Sequence, residues 1–414
     1  MTALTLRCLL VTVCLAAPAQ SAAPIGKPVL DVDAGDQERR DSIVSLPLPK
    51  GVQGACWLKG PDGRRLPLQV DGDGQGWFII RDLKAKERRR YWVDMEKKPA
   101  RGRPECELDF EEGALLFSYK RRLVVQFNQT PTYPPNEETS MVYRRGGYLH
   151  PLYSPGGSKV TDDYATNHLH QHGLWSAWTH TRFEGRSPDF WNMGTSKGTV
   201  VPLALDEFWE GPVHAGFVAR NRYIDLLAKP RRIALDETWT SRVFAVGGGK
   251  PAYRILDIHI VQTAHSSSPL EVLEYHYGGF GIRGHEFWNV KTNMAVLTSD
   301  GETNRLRAHG MKVRWLAVSG TVDRGNAGMA ILCHPSSFRA PQPIRVHPDE
   351  PFFCFAPPQS GPFLITQDQP YRASYRIVTF DGAPDALFLE RLWKDYANPV
   401  GVSLNIEPAK KDSR

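Results

Sequence analysis

Short runs with alternating or β-branched and aromatic character dominate this chain, and turn-forming residues punctuate them. Ser42–Leu48, Gly76–Ile80 and Arg90–Met95 are separated by Pro49-Lys50-Gly51, Pro61-Asp62-Gly63 and Asp71-Gly72-Asp73-Gly74. Spacing of this kind predicts a small β-sandwich over residues 24–100. The charged stretch Lys97–Pro104 carries Pro and Gly and reads as a linker. From residue 106 onward the strand signal recurs at Leu123–Phe127, Arg222–Leu227, Thr238–Val246, Tyr253–Gln262, Glu271–Tyr277, Val313–Val318, Ala327–Cys333 and Ser374–Phe380. Within Tyr253–Gln262 the period of two puts Leu256, Ile258 and Ile260 on one face and Asp257 and His259 on the other. Helical spacing is clear only in Pro384–Ala397, where Phe388, Leu389, Leu392, Trp393 and Tyr396 share a side and Asn398-Pro399 ends the run. The expected fold is mostly β: a large antiparallel sandwich over residues 106–397 with one C-terminal helix, then a tail over 398–414.

The first residues bear on compartment. Arg7 precedes an apolar stretch, Cys8–Ala17, and Ala17-Pro18-Ala19 offers small residues for cleavage. That pattern predicts a signal peptide over residues 1–23 and a secreted or periplasmic product. Past it there is no apolar run of ~18 residues, so no membrane-spanning helix is expected. At 414 residues with 23% charged, the chain has ample material for a core. The net charge of +6 is concentrated early, in Lys84, Lys86, Arg88, Arg89 and Arg90, then Lys120, Arg121 and Arg122. Acidic residues are interspersed and export removes most nucleic-acid partners, so these read as a solvated face. Cys56, Cys106, Cys333 and Cys354 follow the signal. In an oxidising compartment four thiols allow three pairings, of which Cys56–Cys106 with Cys333–Cys354 is the most local; four buried free thiols are the alternative.

Candidate chemistry gathers in two places. Asn167-His168-Leu169-His170-Gln171-His172-Gly173 holds three imidazoles at alternate positions. In an extended chain all three would share a face, with Cα atoms about 6.6 Å apart. Such an array can move protons near neutral pH, or bind zinc or copper through His168, His170 and His172. Trp175, Trp178, Asp189 and Trp191 follow closely, a combination suited to packing on a sugar ring. The second stretch, Glu274 to Glu286, contains His276, the pair Gly278-Gly279, and Arg283, a fixed cation for a carboxylate or hydroxyl. His334-Pro335 and Arg345-Val346-His347-Pro348 add further imidazoles. Gly194-Thr195-Ser196-Lys197-Gly198 matches the hydrolase elbow pattern, but the segment after it is not helical as that motif requires.

These residues resemble a widespread bacterial family of unknown function often labelled "PmoA family" or methane-oxygenase-like. Its typical Asp-His-Pro-His-His-Arg-Gly followed by Leu-Trp is matched by His168, His170, Gly173, Leu174 and Trp175, with departures at Asn167, Leu169, Gln171 and His172. Asp189-Phe190-Trp191, Phe280–Arg283 and Ala330–Pro335 extend the likeness, and Tyr277 stands where many members carry Glu. A membrane methane-oxygenase subunit needs several spanning helices, which this sequence lacks. The resemblance therefore implies a large sandwich like galactose mutarotases and some polysaccharide lyases, with a sugar held in an open groove.

The function expected from all this is action on a sugar or glycan by histidine-mediated proton transfer: an epimerase, a lyase or a glycoside-cleaving enzyme. His168, His170, His276 and Arg283 would be catalytic. His172, Trp175, Trp178, Asp189, Trp191 and His334 would bind the carbohydrate. No cofactor is required by that chemistry and no nucleic-acid partner is expected. The alternatives are a metal-dependent enzyme and a non-catalytic glycan-binding protein.

Overall fold

The computed structural model describes residues 27–95 and 103–407. Residues 1–26, which include the expected signal, and 96–102, most of the expected linker, lie outside the described residues, as do 408–414. The fold is mostly β, built from antiparallel sheets, with one long helix near the C-terminus.

Two eight-stranded sheets form the large sandwich. We call them front and back. The front sheet runs Ile344–Val346, Phe352–Phe355, Gly279–Arg283, Leu174–Ala177, Tyr148–Leu152, Arg122–Asn128, Ala114–Tyr119, Cys106–Glu111. The back sheet runs Gly198–Trp209, His214–Asp225, Arg232–Phe244, Tyr253–Ala264, Tyr371–Asp381, Gly325–Cys333, Trp315–Val322, Met294–Thr298. Their facing sides interlock through aromatic stacks: Phe280 on Tyr375 at 4.6 Å and Phe127 on Phe217 at 4.1 Å between ring centroids. Burial in Tyr253–Ala264 follows the expected alternation, with Leu256, Ile258 and Ile260 buried and Asp257 and His259 half-buried. Gly198–Trp209, which the sequence pattern did not reveal, is a 12-residue edge strand. Its register shifts between Pro202 and Ala204, and an edge position with a bulge is where a sheet tolerates proline. The expected strand Glu271–Tyr277 is confined to Leu270–Val272.

The first unit is one seven-stranded sheet with its own core, which includes Leu30, Val32, Val44, Leu58, Phe78, Ile80 and Val93. Alternation along its strands sends Ile43 and Ile79 to the other face, where they join the core of the large sandwich. Part of the expected tail is ordered into this sheet. Gly401–Glu407 is a strand and pairs with Lys27–Asp33 along its whole length. The basic run is likewise spoken for: Arg88 pairs with Asp33 at 2.8 Å, Arg90 with Asp31 at 2.7 Å and Arg89 with Glu87 at 2.6 Å.

The helix Ala386–Ala397 starts where Asp385 accepts from the backbone N–H groups of Leu387 and Phe388. It buries Leu389 and Leu392 and fastens the two units. Arg39 Nη1 donates to Asp395 Oδ1 at 2.9 Å, and Ser42 donates to the other Asp395 oxygen at 3.0 Å. Both charged side chains are at most 5% exposed.

The expected disulfides are absent. Cys56, Cys106, Cys333 and Cys354 are all free and buried. Cys333 sits on the back sheet and Cys354 on the front sheet, so proximity in sequence does not become proximity in space. Burial pushes the Cys333 and Cys354 thiols up to about 12, which leaves them unreactive near neutral pH.

Removing one member of a buried ion pair strands the other in a poor solvent. Arg39→Ala should therefore lower unfolding stability by about 3–5 kcal/mol. Chemical denaturation of wild type and variant measures it, and a change below about 1 kcal/mol would show that water reaches the pair.

Candidate active site

The site lies on the outer face of the front sheet, the side turned away from the back sheet. Residues directly opposite in an antiparallel ladder share a face. One row across four strands reads Trp175, Gly281, Cys354, Arg345. The neighbouring rows, such as Leu174, Ile282, Phe353 and Val346, point inward and are at most 1% exposed. Arg283 lies two residues beyond Gly281, hence on the outer face.

Arg283 is the organiser. Its side chain is 0% exposed, yet it carries a charge. Burial works against that charge, and Glu350 partly restores it. Nη1 donates to Gln171 Oε1 at 2.8 Å and to Glu350 Oε2 at 3.1 Å. Nη2 donates to Asn289 Oδ1 at 2.8 Å and to Asn167 Oδ1 at 3.1 Å. Asn167 in turn donates to the second Glu350 oxygen at 2.9 Å. Asn167 and Gln171, two departures from the family pattern, are thus the residues that receive Arg283.

The histidine segment is not extended. His168 N–H donates to Ala165 O and Gln171 N–H to His168 O, two consecutive tight turns. His168 and His170 still come together, with ring centroids 5.6 Å apart, and His347 joins at 6.4 Å from His168. Nδ1 of His168 is 2.9 Å from a Glu350 oxygen but off the N–H direction, so the contact becomes an ion pair only when the ring is protonated. Burial holds His168 below its usual pKa, while Glu350 pulls it back up. His170 has no such support. Burial, then the neighbouring imidazoles, Arg283 and Arg145, push it down to about 4, and its ring makes no hydrogen bond among the described residues.

His172 turns away into the interior. Its Nδ1 is 2.6 Å from Asp163 Oδ1, and its ring is 0% exposed. Tyr148 donates to the second Asp163 oxygen at 2.6 Å. Burial alone would raise the Asp163 carboxyl, but His172 and Tyr148 hold it below the usual range. Beside this group Arg145, 1% exposed, donates Nη2 to Ser176 O at 2.8 Å. It fills the gap left where Tyr148–Leu152 and Leu174–Ala177 pair only at Leu149 and Leu174.

Several residues expected to line a sugar groove are placed elsewhere than beside His168 and His170. Trp175 and Trp191 are fully buried, 4.8 Å apart, and cover Gly281, where a Cβ would meet the Trp191 ring at 2.6 Å. Trp178 points into the sandwich and donates to Gln262 at 2.6 Å. Asp189 accepts from the backbone N–H groups of Trp191 and Asn192 and holds a turn. His334 lies beside the C-terminal helix, its ring 4.7 Å from Tyr396, among residues of the back sheet. The three tryptophans are packed from both sides, while Asp189 and His334 are half-buried. His276 is exposed and lies with Tyr275 and Tyr277, at 4.3 and 4.8 Å. The backbone there turns through Gly278 and Gly279 at φ of 129° and 110°, which only glycine adopts freely. Tyr275 and Tyr277 are half-buried and give the aromatic surface that the tryptophans do not.

Sequence reasoning missed Glu350, Asn289, Asp163 and Tyr148, single residues with no telling spacing. Among the described residues no group of three or more His, Cys, Asp or Glu is disposed to hold a metal ion. His168, His170 and His172 do not gather as a ligand set, because the third ring is packed in the interior against Tyr148 and Tyr164.

His150 shows the thermodynamic cost of these buried imidazoles. It is held at about 4, chiefly by burial, and its Nδ1 lies 3.0 Å from Thr161 Oγ1. The unfolded chain binds a proton near pH 6.5 that the folded one refuses until about 4, so stability rises with pH across that window. The contribution is full above the unfolded pKa and on the order of 3 kcal/mol is lost by pH 4. The melting temperature should fall as pH drops from 6.5 to 4, and the fall should be shallower in His150→Gln. Equal slopes for the two proteins would place the loss elsewhere.

Residues 112–394 match the model of a family of unknown function (DUF6807). No curated protein matches the chain.

Proposed function

The chain belongs to DUF6807, a family of unknown function, and we propose that it is a carbohydrate-active enzyme that moves a proton by histidine, as an epimerase, a lyase or a glycoside-cleaving enzyme. We place it outside the cytoplasm on the strength of its first residues. The methane-oxygenase label is not carried over, since no described helix is long and apolar enough to cross a membrane.

One observation carries the reading: two adjacent imidazoles in different electrostatic settings. His170 stays neutral to about 4 and keeps a free lone pair, as a general base requires. Burial lowers His168 as well, but Glu350 beside it opposes that shift, so of the two rings it is the one with support for taking up the proton a general acid gives back. Environments that separate two neighbouring titrating groups are how one site performs both halves of a proton transfer. Glu350 is kept in place by Arg283 rather than by solvent, so the acid's partner needs no reorganisation during reaction. Tyr275 and Tyr277 add a surface on which a sugar ring can pack.

His170→Ala and His168→Ala should each reduce kcat by ~10²–10⁴ with the melting temperature little changed. The assay is a panel of oligosaccharides, uronates and modified glycosides. Full turnover in both variants would end the proton-transfer assignment. Sugar binding that persists in both variants, with no turnover even in wild type, would make the protein a glycan binder.

A further inference from the structure

We propose that Arg345 is the centre of an anion-binding subsite that takes the carboxylate of an acidic sugar. This rests on the reading above and narrows its substrate class.

Arg345 sits in the middle of the edge strand Ile344–Val346. Its strand neighbours Ile344 and Val346 are at most 1% exposed and face the core, so the guanidinium projects from the same outer face as Arg283. The other arginines of this region are engaged. Arg283 has four side-chain partners, Arg305 donates to the His347 and Glu350 carbonyls, and Arg339 donates to three carbonyls. Arg345 alone of these makes no side-chain hydrogen bond or ion pair among the described residues, and its Nε is buried without a partner. A buried donor left unpaired loses its water without a replacement, the more so when charged, so the position asks for an acceptor.

The surroundings do not supply one. Glu350 is committed to Arg283 and Asn167, and Asp349 to Lys291. What surrounds Arg345 instead is imidazole. His347 lies two residues along the strand; its Nδ1 accepts from the N–H groups of Asp349 and Glu350, which leaves the proton on Nε2, free to donate. His309 is brought in by the Gly310 N–H bond to Ile344 O at 2.8 Å, and its Nδ1 is buried without a partner. His276 is fixed through its carbonyl by Gln359 at 3.1 Å. Burial first, and then the Arg345 charge, keep His276 and His309 below the usual imidazole range; burial does the same at His347, where Glu350 opposes it and Arg345 adds to it. The result is a fixed cation beside polar groups, with no carboxylate paired to it among the described residues.

A planar carboxylate matches that guanidinium in a two-bond fork. His347 connects the subsite to His168 at 6.4 Å, so an acid group on Arg345 would bring the rest of its sugar ring toward the proton-transfer pair.

The test is calorimetric binding of galacturonate oligomers, of neutral oligomers of matched length and of sulfate, with wild type, Arg345→Ala and Arg345→Lys. Wild type should prefer the acidic oligomers. Arg345→Ala should lose about tenfold or more of that affinity while neutral oligomers bind as before, with Arg345→Lys in between and all three melting alike. Acidic oligomers that bind Arg345→Ala as well as wild type, or no better than neutral ones to wild type, would overturn the inference. Should no sugar bind but sulfate bind in an Arg345-dependent way, the anion site stands and the sugar reading falls. If neither sulfate nor acidic oligomers bind wild type, the anion site itself is refuted.

Discussion

A charged guanidinium placed against a sheet, away from water, has to be given acceptors, and meeting that demand shapes this molecule's active face. Arg283 ends its strand on the outer side of the front sheet. It draws in Asn167 and Gln171 from the histidine turns, Asn289 from a short turn after its own strand, and Glu350 from the loop before Phe352–Phe355. Three stretches of chain far apart in sequence are brought together by one side chain. The positions of His168 and His170 follow from it, because their turns are pinned at Asn167 before them and Gln171 after them. Each of the four bonds is modest in net energy, but leaving the charge unpaired would cost several kcal/mol, so the arrangement is held as a set.

The β architecture was legible because a strand with one wet face writes a period of two into its sequence. Leu256, Ile258 and Ile260 show it, and so does the helix in its own period. Gly198–Trp209 escaped because Pro202 interrupts the pattern and the strand is exposed along one edge. Gly401–Glu407 escaped because it follows a helix stop and is largely exposed, with little apolar signal. The site was half legible. A density of imidazoles identified the right turns, but sequence does not say which rings face each other. Trp175 and Trp191 are close to the histidines in the chain and still become core, since a glycine opposite leaves room for them. Glu350 and Asp163 could not be found at all: an isolated carboxylate carries no signature until the fold brings it to a cation or an imidazole.

The three clustered histidines of one motif end in three different environments. His172 is locked between Asp163 and the Tyr148 ring, a support that stiffens the turn from below. His168 is half-buried with a carboxylate beside it. His170 is desolvated and uncompensated between them. Alternate spacing alone would have made them equivalent, as for a metal site. The two tight turns break that equivalence, and with it the symmetry that a ligand set would want.

The pairing of Lys27–Asp33 with Gly401–Glu407 sets an order of events during biosynthesis. A ribosome releases the first six strands of the small sheet early, but their seventh partner emerges only after the whole large sandwich has been made. Until then the edge at Lys27–Asp33 is an open row of backbone donors and acceptors, a surface prone to pairing with other chains. The alternating charges along it, Asp31 and Asp33 beside Arg88 and Arg90, are a form of protection for that interval. The small sheet thus cannot be complete until the last strand of the chain has emerged.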